Sequence, residues 1–225
     1  MSAKEYRRRD VISLYYGGET IASNKINQAI ADALSSNGER KFVETVEVAI
    51  NLKDVDLQNP QKRISAEVAL PHGRGRPARV AVFAQGEMAV ISKKVVDTVI
   101  SPEQIDELSE NKRAARKLAG KFDFFVAETG LMASIGKSLG VVLGPRGKMP
   151  RPIPPQADIE RIIKGLTNLV PVRSKDRPTF HVPIGNVSMS QEQLADNLET
   201  ILKRVESSLD RGYDNIASVW VKTTM

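Results

Sequence analysis

The residues of this chain best suited to chemistry are cations gathered in three short loops. Arg74, Arg76 and Arg79 lie in PHGRGRPAR (71–79), Arg146, Lys148 and Arg151 in GPRGKMPR (144–151), and Arg173, Lys175 and Arg177 in VRSKDRP (172–178). Glycine and proline hold such loops in shapes that bring backbone N–H groups and guanidinium forks close to phosphate. The chemistry they suit is recognition of a polyanion.

Two of these loops imitate nucleotide-binding motifs and lack what the motifs need. Gly73-x-Gly75-x-x-Ala78 has the form of a dinucleotide fingerprint. A fingerprint must open a helix whose N-terminus meets the pyrophosphate. Here Pro77 and the strand-like RVAVFA follow instead. GPRGKM shares only its Gly-Lys with a P-loop: Val142 stands where the first glycine is required, and Met149 where the Mg²⁺-binding hydroxyl belongs. No cofactor is expected from either loop.

A reaction centre is equally hard to assemble. The chain has no cysteine and only two histidines, His72 and His181, which excludes thiolate chemistry and a multi-histidine metal site. Neither histidine has a serine or aspartate motif beside it. Glu44 and Glu47 alternate onto opposite faces of a predicted strand and cannot work as a pair. The sequence therefore predicts a protein that is not an enzyme and holds no metal. Its 33 Lys and Arg exceed its 27 Asp and Glu by six, which favours nucleic acid as a partner over an acidic membrane surface. No apolar run reaches the ~18 residues that span a bilayer, and MSAKEYRRRD is followed by no apolar signal core. A soluble, cytoplasmic protein is expected.

Periodicity predicts the elements that carry these loops. Ile26, Ile30 and Leu34 form one stripe of a helix from Ser23, stopped at Asn37-Gly38. KFVETVEVAINL alternates as a half-buried strand, with Phe42, Val46, Val48, Ile50 and Leu52 on one face and Glu44 interrupting it. RISAEVAL reads as a second strand, antiparallel to the first. After PHGRGRPAR the texture becomes α/β: VAVFA is a short, fully apolar strand of parallel type, EMAVISKK a helix, VDTVIS a strand. Ser101, Pro102 and Gln104 cap one long helix whose Ile105, Leu108, Ala115 and Leu118 face inward. FDFFVAE is the next strand, and alternation of this kind predicts a doubly wound unit. RPIPPQ reads as a second crossing. A helix from Asp158, strands at VPVRS and PTFHVPIGN, a helix capped by Ser190 and Gln193, and a last strand ASVWVKTTM complete the chain. The two crossings bracket the α/β stretch, so one domain is built from both ends of the chain with another inserted into it. The boundaries expected are 1–70 with 157–225, and 71–156; residues 1–22 show no clean period.

The last strand places Ser218, Trp220, Lys222 and Thr224 on one face. A hydroxyl, aromatic and cation set of this kind suits sugar and phosphate contact, although a polar outer sheet face would show the same alternation.

At this point several runs resemble a known family. KFVETVEV (41–48), LPHGRG (70–75), LGPRGKMP (143–150), FHVPIGNVSMS (180–190) with the following LADN, and VKTTM (221–225) resemble, in that order, the archaeal-type large-subunit ribosomal protein L-one family, the protein of the mobile stalk. The resemblance runs from about residue 24 to the end. It implies a discontinuous two-layer α+β domain with an inserted Rossmann-like three-layer α/β domain, the first of which binds ribosomal RNA. It further implies a place beside the tRNA exit site, assistance to tRNA release, and repression of the protein's own mRNA. Carried onto this sequence, RNA contacts fall on Phe42, Thr45, Ser218, Thr224 and Met225, and more loosely on Lys41, Arg173, Lys175 and Lys222. Arg74, Arg76, Arg146 and Lys148 are expected to shape the cleft between domains or to meet RNA phosphate. Asn186 departs from the lysine common in the family, and the family's Gly-containing tail does not follow Thr224-Met225 here. Two other readings stay open: a nucleotide-dependent enzyme using the α/β insert, and an RNA-binding regulator acting off the ribosome.

Overall fold

The computed structural model describes residues 12–13, 23–35, 41–96, 98–154 and 158–224. The chain is a mixed α/β protein that divides into two compact units, Met1–Arg76 with Asn168–Met225, and Pro77–Thr167. Two stretches fall on the other side of the expected boundaries: residues 71–76 belong with the first unit, and the helix ending at Thr167 with the second. The helix's buried Ile159 and Leu166 pack toward the parallel sheet, while residues 71–76 are fastened to elements of the first unit, as described below.

The first unit opens with β1 (Ile12–Ser13), α1 (Ser23–Ser35), β2 (Thr45–Leu52) and β3 (Ser65–Ala69). The second contains β4 (Val80–Phe83), α2 (Gly86–Val95), β5 (Val99–Ile100), α3 (Pro102–Glu110), α4 (Lys112–Lys121), β6 (Phe124–Glu128), α5 (Met132–Ser138), α6 (Gly140–Leu143), β7 (Arg151–Ile153) and α7 (Ile159–Thr167). The chain then returns to the first unit through β8 (Leu169–Arg173), β9 (Thr179–Asn186), α8 (Gln191–Glu206) and β10 (Ile216–Thr223).

In the first unit an antiparallel sheet runs in the order β1-β10-β2-β9. Strand alternation sends Val46, Val48, Ile50 and Leu52 of β2, Val219 and Val221 of β10, and Phe180, Val182 and Ile184 of β9 to one face. There they meet Ile26 and Ile30 of α1 and Leu194, Leu198, Ile201 and Leu202 of α8. A fully buried Leu or Ile contributes ~1.5–3 kcal/mol, so this single layer of helices leaves the other sheet face open at little cost. Two expectations are corrected here. β3 pairs with β8, not with β2, in a separate two-stranded sheet. Phe42 does not share the buried face: it precedes β2 and is 53% exposed, and the interrupting Glu44 is buried in the place its register assigned.

The second unit has a wholly parallel sheet in the order β5-β4-β6-β7. Ala81, Phe83, Phe125 and Ala127 face Ile105, Ala115, Ala119, Ile135 and Leu143 of the helices between α3 and α6. The alternate Val80, Val82 and Val126 are buried on the opposite face, where α2 and α7 pack. The expected long helix after Ser101 is two helices. The Ser101–Gln104 capping box forms, but Asn111 ends α3 and its side chain accepts from Ala114 N to start α4. RPIPPQ is likewise not only a crossing, because Arg151–Ile153 adds β7 to the sheet.

Candidate nucleic-acid interface

Antiparallel register lays the residues of the open sheet face into four cross-strand rows. The first joins Ser218, Asn51 and Thr179. It is a continuous polar chain: Asn51 Nδ2 donates to Ser218 Oγ (2.6 Å), Thr179 Oγ1 donates to Asn51 Oδ1 (2.5 Å), and Trp220 Nε1 donates to Ser218 Oγ (2.9 Å). The second row is Trp220, Ala49 and His181, and the third is Lys222, Glu47 and Pro183. Lys222 Nζ lies 2.8 Å from Glu47 Oε1, and His181 Nδ1 lies 3.8 Å from the same oxygen. The fourth row closes on Thr45, which receives both the backbone N–H (3.0 Å) and the hydroxyl (2.8 Å) of Thr224 at its carbonyl.

The expected contact residues thus gather at two ends of one face. From Thr45 to Asn51 is six residues, or about 20 Å of strand. Lys41 and Phe42 lead into the Thr45–Thr224 end. Arg173 and Lys175 lie before Thr179, at the Ser218 end, in a turn where Lys175 takes φ 47°. That turn is anchored by Ser174, which is buried and whose hydroxyl accepts from Ile64 N at 2.9 Å. Arg173, Lys175 and Arg177 are all exposed. Lys222 is different: between the two ends its charge is offset by Glu47, so the middle of the face offers an indole and an imidazole rather than net charge, and the hydroxyls and amides lie in the end rows. Met225 lies outside the described residues. Asn51 and Thr179 are not singled out by the sequence, and Glu47 enters it only as half of a rejected carboxylate pair; the register, which no local pattern reveals, places them beside Ser218 and Lys222.

The four loop cations expected to line a cleft or meet phosphate fall in separate units. Arg74 and Arg76 belong to residues 70–76, which are pinned by two asparagines. Asn197, fully buried on α8, donates through Nδ2 to Gly73 O (2.9 Å) and Ile184 O (2.8 Å) and accepts from His72 N (3.2 Å). Asn186 Nδ2 donates to Gly75 O (3.1 Å). His72 Nε2 adds a contact to Asp196 Oδ2 at 2.8 Å. Three runs that carried the resemblance, LPHGRG, FHVPIGN and LADN, therefore meet one another. Gly73 and Gly75 both have positive φ, 67° and 76°, which only glycine adopts without strain.

Arg146 and Lys148 serve the end of α4. Lys148 Nζ donates to Ala119 O (2.9 Å) and Phe122 O (2.7 Å), and Arg146 Nη1 to Arg116 O (2.9 Å). Ala119 O and Phe122 O lie at the C-terminal end of the helix, where carbonyls are left unsatisfied and the macrodipole also favours cations; Arg116 O lies one turn before them. Gly147, at φ 65°, turns the chain so that Lys148 points back. Arg146 keeps an exposed side chain, while Lys148 is half-buried and committed to those carbonyls.

The crevice where a doubly wound sheet binds nucleotides, outside the carboxyl ends of its central strands, is filled differently here. Between β4 and β6, Gln85 N donates to Glu128 Oε2 at 3.3 Å, so a carboxylate of the protein sits at the start of α2. A fixed carboxylate in that place repels phosphate.

Comparison with known proteins identifies the family. The model of the Ribosomal protein L1p/L10e family matches residues 33–225. The chain is 51% identical over 201 residues to the large ribosomal subunit protein uL1 of Methanothrix thermoacetophila, covering 89% of this chain and 95% of that one. It is 47% identical over 202 residues to the uL1 of Thermoplasma acidophilum, covering 90% and 93%. With the uL1 of Archaeoglobus fulgidus it shares 48% identity over 206 residues, covering 91% and 96%. Each of these relatives is named as a ribosomal protein and none by a reaction. Among the described residues no helix is long and apolar enough to cross a membrane.

Proposed function

The chain belongs to the Ribosomal protein L1p/L10e family, and on that premise we propose that it is a non-enzymatic constituent of the large ribosomal subunit that binds ribosomal RNA through the open sheet face of its first unit. The observation that supports this best is the hydrogen-bonded row Ser218–Asn51–Thr179, with Trp220 beside it and the Thr45–Thr224 junction at the far end. Hydroxyls and amides on a rigid sheet suit 2′-hydroxyl and base-edge contact, the features that separate RNA from DNA. The exposed cations Lys41, Arg173 and Lys175 at the two ends suit the backbone phosphates that fix its register.

The same surface serves the finer roles we assign: attachment at the mobile stalk beside the tRNA exit site, assistance to the release of exit-site tRNA, and repression of the protein's own mRNA by binding a copy of the ribosomal site. Its place of action is the cytoplasm. The test is binding to a stalk fragment of large-subunit rRNA across a salt series, beside a scrambled hairpin of equal length. Phosphate contact lowers log affinity linearly with log salt for both RNAs. Shape and 2′-hydroxyl recognition leave a gap that survives high salt, and Ser218→Ala or Thr224→Ala narrows it. Equal, salt-erased binding to the two RNAs would overturn the assignment. Failure to co-sediment with large subunits, with the gap intact, would favour a regulator acting off the ribosome.

A further inference from the structure

Most of the net charge of this protein lies outside the unit that carries the sheet face. The second unit, Pro77–Thr167, holds 14 Lys and Arg against 10 Asp and Glu, an excess of four out of the chain's six. Much of it is concentrated on one helix. α4 carries Lys112, Arg113, Arg116, Lys117 and Lys121 and no acidic residue. All five side chains are exposed, while Ala115 and Ala119 on the other side of the helix are buried.

The arrangement costs stability in two ways. Lys112 and Arg113 occupy the first turn of the helix, where the macrodipole favours anions and disfavours cations. Lys112 with Arg116, Arg113 with Lys117, and Lys117 with Lys121 are like charges four residues apart, about 5–6 Å between Cβ atoms, which repel. Compensation is at hand and is not used. The preceding helix α3 carries Glu103, Asp106, Glu107 and Glu110 and no cation, yet among the described residues no ion pair joins any of these acids to α4. A merely solvated face intersperses the two signs; here they are segregated onto neighbouring helices. Arg146, exposed and donating to Arg116 O, extends the cationic row past Arg116.

We propose that the exposed face of α4, with Arg146 beside it, is a second RNA-binding surface that takes the phosphodiester backbone without reading sequence. The spacing of its cations along the helix matches a ligand with repeated negative charge. This surface lies in the second unit and does not depend on the sheet face of the first.

The experiment compares the full chain with a triple variant, Arg113→Gln, Arg116→Gln and Lys117→Gln, and with a charge-keeping control, Arg113→Lys and Arg116→Lys. The probes are a short RNA duplex of arbitrary sequence and vesicles rich in phosphatidylglycerol. Removing three phosphate contacts lowers the slope of log affinity against log salt by about two to three. The control keeps the parent slope. The melting temperature of the triple variant is unchanged or raised, because repulsion has been removed; Arg113→Gln alone lowers the slope by about one and serves where the triple variant does not fold. An unchanged slope overturns the proposal. So does a variant that loses vesicle capture while its RNA slope holds, which would assign the face to a membrane surface instead.

Discussion

Asn197 and Gly73 are separated by 124 residues of sequence and joined by a 2.9 Å hydrogen bond from the buried amide to the glycine carbonyl. The same amide group donates to Ile184 O, and its oxygen accepts from His72 N. One side chain thus fastens the loop 70–76, the strand β9 and the helix α8 together, with its oxygen and both of its N–H groups engaged.

Replacing Asn197 with leucine keeps the volume and strands two carbonyls and an N–H. Each buried orphan costs ~1–3 kcal/mol, so Asn197→Leu is expected to destabilise the first unit by roughly 3 kcal/mol or more. A urea titration checks it: the midpoint falls, and an unchanged midpoint would mean that water replaces the amide at no cost.

Gly75 faces Asn186 so closely that a Cβ would stand 2.4 Å from the amide. With φ at 76° as well, Gly75→Ala is expected to cost ~1–3 kcal/mol. In an Asn186→Ala background the clash disappears and only the backbone strain remains. A double-mutant cycle should therefore show coupling, and strictly additive losses would refute the contact.

Lys148→Met tests the helix-end role. It removes two donors from the Ala119 and Phe122 carbonyls. The expected result is a loss of about 2 kcal/mol in the second unit, with the salt slope for RNA unchanged. A fall in slope without a fall in stability would return Lys148 to phosphate contact.

Glu47→Gln tests the electrostatics of the sheet face. The carboxylate holds Lys222 at 2.8 Å. Without it Lys222 is available to a phosphate, so binding of arbitrary RNA should tighten and its salt slope steepen by about one. The pair itself contributes only ~0.2–1 kcal/mol to the sheet, so stability hardly changes. Weaker binding of the stalk fragment in the same variant would show that the carboxylate contacts RNA directly.

Much of this architecture is legible because its signals are local. The capping boxes at Ser101 and Ser190 depend on residues three apart, the apolar Val80–Phe83 on four consecutive side chains, and the open face of β10 on simple alternation. What escaped the sequence is non-local or ambiguous at short range. The break at Asn111 hides because Ile105, Leu108, Ala115 and Leu118 keep helical spacing across it. β7 hides because Pro152 is a poor strand residue, tolerated only at an edge. The partner of β3 lies about a hundred residues away, beyond any periodicity. Asn197 looks like an ordinary polar helix residue until β9 and the loop arrive on either side. In the candidate site, alternation gave Ser218 and Lys222, and only the register showed that one is bonded to Asn51 and the other held by Glu47.

The parallel sheet of the second unit ends on one side in a strand of two residues, β5, and on the other in Arg151–Pro152–Ile153. A foreign strand seeking to extend the sheet meets on one side too short a ladder, and on the other a residue with no N–H to give beside a charged one. Sheet edges of this kind resist templated growth. The consequence is colloidal: at high concentration, the described residues of this unit offer no free edge long enough to seed a fibre or exchange strands with a second copy.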